Sequence, residues 1–422
     1  MSWRRQPLDE VADFCLGKML DQNKNRGELM PYLANINVRW GEFDFQNLRE
    51  MRFELGELDR YGLKSGDIVM CEGGEPGRCA VWKDQVPGMM LQKALHRIRP
   101  HTCLDSRFLY YSFLKKGKNN ELAGYFTGST IKHLPREKLA LVKVEIPPLA
   151  VQKKIADILS TYDDLIENNR RRIALLEETA RLLYREWFVH FRFPGHEHVK
   201  IIGGIPEGWE QRALGELADV RLGKMLDEKK NRGSPRPYLA NVNVRWGSFD
   251  ICELRTMRFE DSEIEKYGLR DGDIVMCEGG EPGRCALWKD QAPGMMVQKA
   301  LHRIRSRAGF DNLFLYHCLL YVAKSGRLGG LFTGATIKHL PREKLITVRV
   351  DIPPERLVRA FVDFVAPIEA QLRVLEGAIR RATEARDLLL PRLKCRDSPH
   401  QAVPSGRVSA VSVARNPAKT WT

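Results

Sequence analysis

The sequence predicts an α+β fold: two mixed, strand-rich domains separated by two long helices that pair as an antiparallel coiled coil, with pseudo-two-fold symmetry. Three observations predict it. First, GDIVMCEGGEPGRCA at 66–80 returns letter for letter at 272–286, and the same shift of 206 residues aligns LGKMLD at 16–21, QKALHRIR at 92–99 and IKHLPREKL at 131–139 with their second copies. A unit of about 200 residues is far longer than a solenoid repeat, so the chain carries a duplicated domain. Second, each copy alternates apolar and polar residues between glycine-rich turns, the period of strands. Third, each copy is followed by a proline-poor segment with apolar residues in steps of four and three, the seam of a long paired helix.

Within a copy, YLANINVRW (32–40) reads as a strand, Asp67 to Cys71 and Arg78 to Lys83 as strands around the turn Gly73-Gly74-Glu75-Pro76-Gly77, and Met89 to Ile98 as a further alternating strand. Leu104, Phe108, Tyr111 and Leu114 have helical spacing, and Ala140 to Ile146 reads as a last strand stopped by Pro147-Pro148. From Val151 to about His190 the seam passes through Ile155, Leu159, Tyr162, Ile166, Asn169, Ile173, Leu176, Ala180, Leu183 and Trp187. Asn169 is its polar member, of the kind that fixes register at a cost in stability. The second seam is Phe361, Val365, Ile368, Leu372, Leu375, Ile379, Ala382, Arg386, Leu389 and Leu393; Arg386 is a flaw in it, and Pro367 should kink the helix or mark its effective start. Two amphipathic helices each docked on its own domain would show similar spacing, but the alternation of domain and helix favours antiparallel pairing. About 40 residues at 1.5 Å rise make a rod of roughly 60 Å. The predicted boundaries are a first domain at 1–148, a spacer helix and linker at 149–204, a second domain at 205–354, a second helix at 355–396, and a Ser-, Pro-, Ala- and Arg-rich tail at 397–422 expected to be disordered.

Net charge is +14, from 68 basic and 54 acidic residues. That favours a polyanionic partner, nucleic acid before an anionic membrane, although a basic protein without such a partner has the same charge. No apolar run reaches transmembrane length and the N-terminus has no signal-peptide core, so no membrane partner is expected. Nine scattered cysteines suit a reducing, cytoplasmic setting better than a disulfide framework.

The segment SGDIVMCEGGEPGRCAVW resembles the core of a target recognition domain, and TGSTIKHLPREKLALVKVEIPPLAVQKKIADILSTYDDLIENNRRRIALLEETARLLYREWFVHFRF resembles the junction from such a domain into its spacer helix. IPEGWEQRALGELADV at 205–220 looks like the opening of a second one. Together they resemble the DNA-specificity subunit of a Type I restriction-modification system over residues 3 to 395, with one departure: IPPERLVRAFVDFVAPIEAQ lacks the Gln-Lys-Lys of the first junction. The resemblance implies a chain without chemistry of its own. Each domain would read one half of a bipartite site in the major groove of double-stranded DNA. The helices would set the gap and dock two modification (adenine methyltransferase) subunits, with restriction/translocase subunits joining where present. It also implies that S-adenosylmethionine, ATP and Mg belong to those partners and that this chain binds no cofactor.

The residues agree with the absence of catalysis. The Pro-Pro pairs stand in IPPL and IPPE, without the Asn or Asp and the aromatic residue that an amino-methyltransferase uses to hold its target amine. GGEPGR is not followed by Lys-Ser/Thr, so it is a hairpin turn rather than a phosphate loop. Cys71 and Cys79 lack zinc spacing, and His190, His196 and His198 read as a solvated linker. A free-standing DNA-binding regulator with the same two heads is the rival expectation. For DNA contact, Arg and Lys can pair with guanine, and Asn and Gln with adenine. Candidates are Asn37, Arg39 and Arg52; Gln92, Lys93 and Arg97; Thr130, Lys132 and His133; and, in the second copy, Asn243, Arg245, Arg258, Gln298, Lys299, Arg303, Thr336, Lys338 and His339. For helix pairing they are Ile155, Leu159, Ile166, Asn169, Ile173, Leu176, Leu183 and Trp187, with Phe361, Val365, Leu372, Leu375, Ile379 and Leu389 opposite. Near-identical domains predict near-identical half-sites in inverted orientation, with differences confined to divergent pairs such as Glu42/Ser248, Phe45/Ile251, Gln46/Cys252 and Ser129/Ala335.

Overall fold

A computed structural model describes residues 3–21, 23–46, 48–251 and 254–390. The chain forms two compact units, Met1–Asp164 with Ala382–Thr422, and Leu165–Arg381. The boundary cuts both long helices internally, so each unit holds one strand-rich domain, the start of the helix that follows it, and the end of the other helix.

In the first unit the elements are β1 (Arg4–Pro7), β2 (Ala12–Leu16), β3 (Glu28–Leu33), β4 (Arg49–Phe53), α1 (Leu58–Tyr61), β5 (Ile68–Cys71), β6 (Cys79–Val81), β7 (Met90–Leu91), β8 (Leu95–Pro100), α2 (Ser106–Lys118), α3 (Arg136–Ala140), β9 (Lys143–Ile146) and the start of α4 (Leu149–Phe188). An antiparallel sheet runs β2-β8-β5-β6, a smaller one runs β4-β3-β7, and β1 pairs with β9. The strand Ile68–Cys71 is buried on both faces, and its period of two decides where each side chain goes. Ile68 and Met70 join a core with α2, while Val69 and Cys71 join another around Trp82, Leu33 and Leu91. Helix α2 begins at Asp105, whose carboxylate accepts from the amides of Arg107 and Phe108 at 3.0 Å.

The second unit repeats this plan. It adds the hairpin β10 (Ile201–Ile202) and β11 (Ile205–Pro206), then runs β12 (Glu210–Ala213), α5 (Leu214–Leu217), β13 (Ala218–Leu222), β14 (Ser234–Leu239), β15 (Arg255–Phe259), α6 (Asp261–Tyr267), β16 (Ile274–Cys277), β17 (Cys285–Leu287), β18 (Met296–Val297), β19 (Leu301–Ser306), α7 (Asn312–Lys324), α8 (Arg342–Leu345), β20 (Arg349–Ile352) and α9 (Glu355–Leu389). Its sheets, β13-β19-β16-β17, β15-β14-β18 and β12-β20, keep the first copy's order.

Three local readings are corrected. The run 32–40 does not stay a strand: β3 ends at Leu33, and Asn35–Asn37 closes a 3-10 turn around the Asn37 side chain. Met89 to Ile98 is not one strand either. It splits into β7 and β8, which lie in different sheets, at a Gln92–Ala94 turn where Ala94 takes φ +90° without a glycine to announce it. Helix α9 continues through Pro367 from Glu355, so the proline does not mark its start.

Each unit contains an antiparallel helix pair. In the first, Asp163 of α4 meets Arg386 of α9, and the earlier Ile155 and Leu159 share a core with the later Leu389 and Leu390. Arg386 is therefore not a flaw in the seam but half of an ion pair. In the second, the ring of Trp187 lies 6.3 Å from Phe361 and 5.9 Å from Phe364. Of the seam residues, Ile155, Leu159, Ile166, Asn169, Trp187, Phe361, Val365, Leu372 and Leu375 are buried, and Ile173, Leu176, Leu183, Ile379 and Leu389 are half-buried. Leu393 and the tail lie outside the described residues, as does Cys252.

Candidate nucleic-acid interface

Four strand ends of the first unit converge, and the loops leaving them are knit by backbone hydrogen bonds. Gln92 N donates to Leu33 O at 3.1 Å, Glu72 N to Ala94 O at 2.9 Å, and Leu134 N to Glu72 O at 2.7 Å. The loop TGSTIKHLP closes on itself through Thr127 and His133, which exchange both backbone bonds. Gly128 must be glycine: its φ is +89° and a Cβ would stand 2.2 Å from Ile131 O. Buried His96 fixes the base of this loop, its Nε2 lying 2.8 Å from Leu134 O. Burial holds that imidazole below its usual pKa, which keeps it neutral. Asn35 Nδ2 donates to Gly73 O at 2.7 Å, while Trp40 Nε1 and Arg78 both donate to Glu75, at 2.9 and 2.7 Å. Loops 34–41, 72–78, 92–94 and 127–133 thus form one face, joined by LGKMLD, where Lys93 N donates to Lys18 O at 2.7 Å.

The second unit repeats the arrangement. Leu340 N donates to Glu278 O at 2.7 Å, Trp246 Nε1 to Glu281 at 2.7 Å, and buried His302 Nε2 lies 2.8 Å from Leu340 O. His339 Nδ1 also lies 3.1 Å from the Glu278 carboxylate.

The candidate residues divide sharply on this face. Thr130, Lys132 and His133 are exposed on the loop tip, as are Thr336 and Lys338, with His339 half-buried. Lys93 and Lys299 are exposed and Gln92 and Gln298 half-buried on the adjoining turn. Arg39 and Arg245 are exposed beside Asp44 and Asp250, at 3.7 and 3.5 Å, and Arg52 and Arg258 spend one nitrogen on Gly27 O and Gly233 O. The structure removes four candidates from the exposed set. Asn37 is buried, with its Oδ1 accepting from Ala34 N and its Nδ2 donating to Asp44 O, both at 2.9 Å, and Asn243 does the same in its copy. Arg97 is buried and donates to Asp59 O and Gly62 O, and Arg303 is buried against Asp219 at 2.8 Å. An alternating pattern could not say that Leu95–Ile98 and Leu301–Ile304 are buried on both faces.

These loops also carry exposed apolar side chains, which donor chemistry does not single out. Ile131 and Ile337 are 65% and 64% exposed, and Ile36, Val242, Met19, Leu20, Met225 and Leu226 are similarly bare. The signal was an apolar residue retained in both copies inside a turn rich in small and basic residues.

Among the described residues no group of three or more His, Cys, Asp or Glu side chains is placed to hold a metal, and no helix is long and apolar enough to cross a membrane. The family described as Type I restriction modification DNA specificity domain matches residues 2–178. The Type I restriction enzyme HindI specificity subunit of Haemophilus influenzae is 32% identical, over 92% of this chain and 99% of that one. The Type I restriction enzyme MjaIX specificity subunit of Methanocaldococcus jannaschii is 25% identical, over 78% and 76% of the two chains. In fold, the S subunit of a Type I restriction-modification system from M. genitalium superposes with a TM-score of 0.53 at 16% identity, covering 94% of this chain and 97% of that one. The chain belongs to the DNA-specificity subunits of Type I restriction-modification systems. Such subunits recognise DNA without a catalytic centre of their own.

Proposed function

We propose that each loop face reads one half of a bipartite site in double-stranded DNA, that the halves form an interrupted inverted repeat, and that the long helices dock two adenine methyltransferase subunits. The cofactors of modification and restriction, S-adenosylmethionine, ATP and Mg, then belong to partner subunits. The observation that carries the reading is the identity of the exposed loop residues: Lys93, Thr130, Ile131, Lys132 and His133 each return in the second copy. Lys132 and Lys93 supply phosphate or guanine contacts, and Ile131 supplies an apolar contact of the kind that recognises a thymine methyl group. Each unit joins its own domain to the end of the other domain's helix in the same antiparallel sense, which favours inverted halves.

Mapping methylated adenines in a genome or plasmid carrying this chain with its modification subunit tests the proposal. The expected motif is an interrupted inverted repeat with matching or nearly matching halves. Two unrelated halves, or two halves in direct orientation, overturn it.

A further inference from the structure

The duplication kept the loop faces and changed the joints where each domain receives the helix pair. Helix α2 reads SRFLYYSFLKKGK and α7 reads NLFLYHCLLYVAK, although both occupy the same place in their units. The polar contacts at the two joints differ accordingly.

In the first unit, the Tyr111 hydroxyl donates to Asp163 Oδ2 at 2.6 Å, Arg386 donates to Asp163 Oδ1, and Lys118 pairs with Asp387. Arg386 and Asp387 come from the end of α9. In the second unit the corresponding positions hold His317, Glu369 and Lys324, and the end of α4 supplies Ala180 and Arg181. There Glu369 is served by buried Lys289, at 3.1 Å, which also reaches Glu376 at 3.5 Å. Ala180 is 1% exposed in the apolar core, and Arg181 is held by Glu178 on its own helix.

Exchanging the helix ends breaks both joints. With the α4 end in the first unit, Ala180 would stand where Arg386 serves Asp163, and Arg181 would face Lys118. One carboxylate loses its cation, and two like charges meet. With the α9 end in the second unit, Asp387 would gain exposed Lys324, a surface pair worth little, but Arg386 would occupy the fully buried apolar place of Ala180, with Glu369 already served by Lys289. Leu390 would replace Tyr184, whose ring lies 5.9 Å from both Phe361 and Tyr321. We propose that the helix pairing is heterospecific: the first unit selects the end of α9, the second selects the end of α4, and a second copy of either half is rejected as a partner.

The test uses the full chain and hydrogen exchange. Arg386→Ala with Asp387→Arg gives α9 the two residues of the α4 end. Exchange of residues 382–390 and of α2 should quicken at least about tenfold, while α7 and residues 355–370 keep wild-type rates and show that the chain is folded. Asp387→Arg alone should be partly rescued by adding Lys118→Glu, which reverses the pair, whereas a merely structural role for either side chain gives no rescue. The reciprocal graft, Ala180→Arg with Arg181→Asp, should loosen α7 and residues 355–370 and spare α2. Wild-type protection in the first graft, or no recovery on charge reversal, overturns the proposal.

Discussion

Asn37 and Lys132 share one loop face and do opposite work. Asn37 satisfies two backbone groups of its own turn and is 4% exposed, so Asn37→Ala should destabilise the first unit by about 1–3 kcal/mol, as expected when buried amide partners are removed. Lys132→Ala should leave stability within about 0.5 kcal/mol. It should instead weaken DNA binding across sequences and lower the salt slope by about one. Urea unfolding together with DNA titration at two salt concentrations checks both; a stable Asn37→Ala chain that binds DNA poorly would reverse the assignment. The same contrast explains what the sequence could and could not tell. Residue types showed that donors cluster in these loops. They could not show which donors the fold had already consumed, because that depends on the 3-10 turn at Asn35–Asn37 and on the burial of residues 95–98 on both faces, and neither stretch contains a glycine or proline.

At the scale of elements, the long helices were legible because a seam in steps of four and three leaves little else to fit. The joints were not, since they depend on pairs far apart in sequence, such as Asp163 with Arg386. Helix α7 shows how much chemistry such a joint hides. His317 is buried with its Nε2 3.9 Å from the Glu369 carboxylate that Lys289 serves, and burial first, then the Lys289 ammonium, pushes its imidazole down to about 3 from an ordinary 6.5. A base with a lowered folded pKa stays neutral in the fold while the unfolded chain protonates. Stability is therefore complete above about pH 6.5 and falls as the pH drops towards 3. Between pH 7.5 and 5 this one residue should cost the second unit about 2 kcal/mol. His317→Tyr, which installs the residue found at the matching position 111, should remove that part of the slope. Buried His302 titrates in both chains, so the difference between them isolates His317. Urea midpoints at the two pH values decide it: equal losses in both chains would mean that His317 is not neutral in the fold.

At the scale of the whole molecule, the question is how alike the two heads are. The repeat showed two nearly identical loop faces, and the structure narrows where they can differ. Phe45 meets Trp82 edge-on at 6.1 Å and Ile251 packs on the matching Trp288 core, so that divergent pair adjusts packing rather than the outward surface. Among the described residues of 34–42 and 127–133 the divergent pairs are Ile36/Val242, Glu42/Ser248 and Ser129/Ala335. Glu42 carries the largest chemical change, because a carboxylate can accept from the amino group of cytosine and repels phosphate, whereas serine accommodates either partner. It also sits on the turn that presents Arg39, whose amide donates to Glu42 O at 2.9 Å. The wild-type chain should therefore prefer different bases at one position of its two half-sites, by about 1–3 kcal/mol for a mismatch, and Glu42→Ser should make the halves equal there. Methylome mapping of cells carrying the wild-type or Glu42→Ser chain reads this directly. If the methylated motif is asymmetric and stays unchanged in the variant, the asymmetry is written elsewhere, and Ile36, Gln46 and Ser129 are the next positions to exchange.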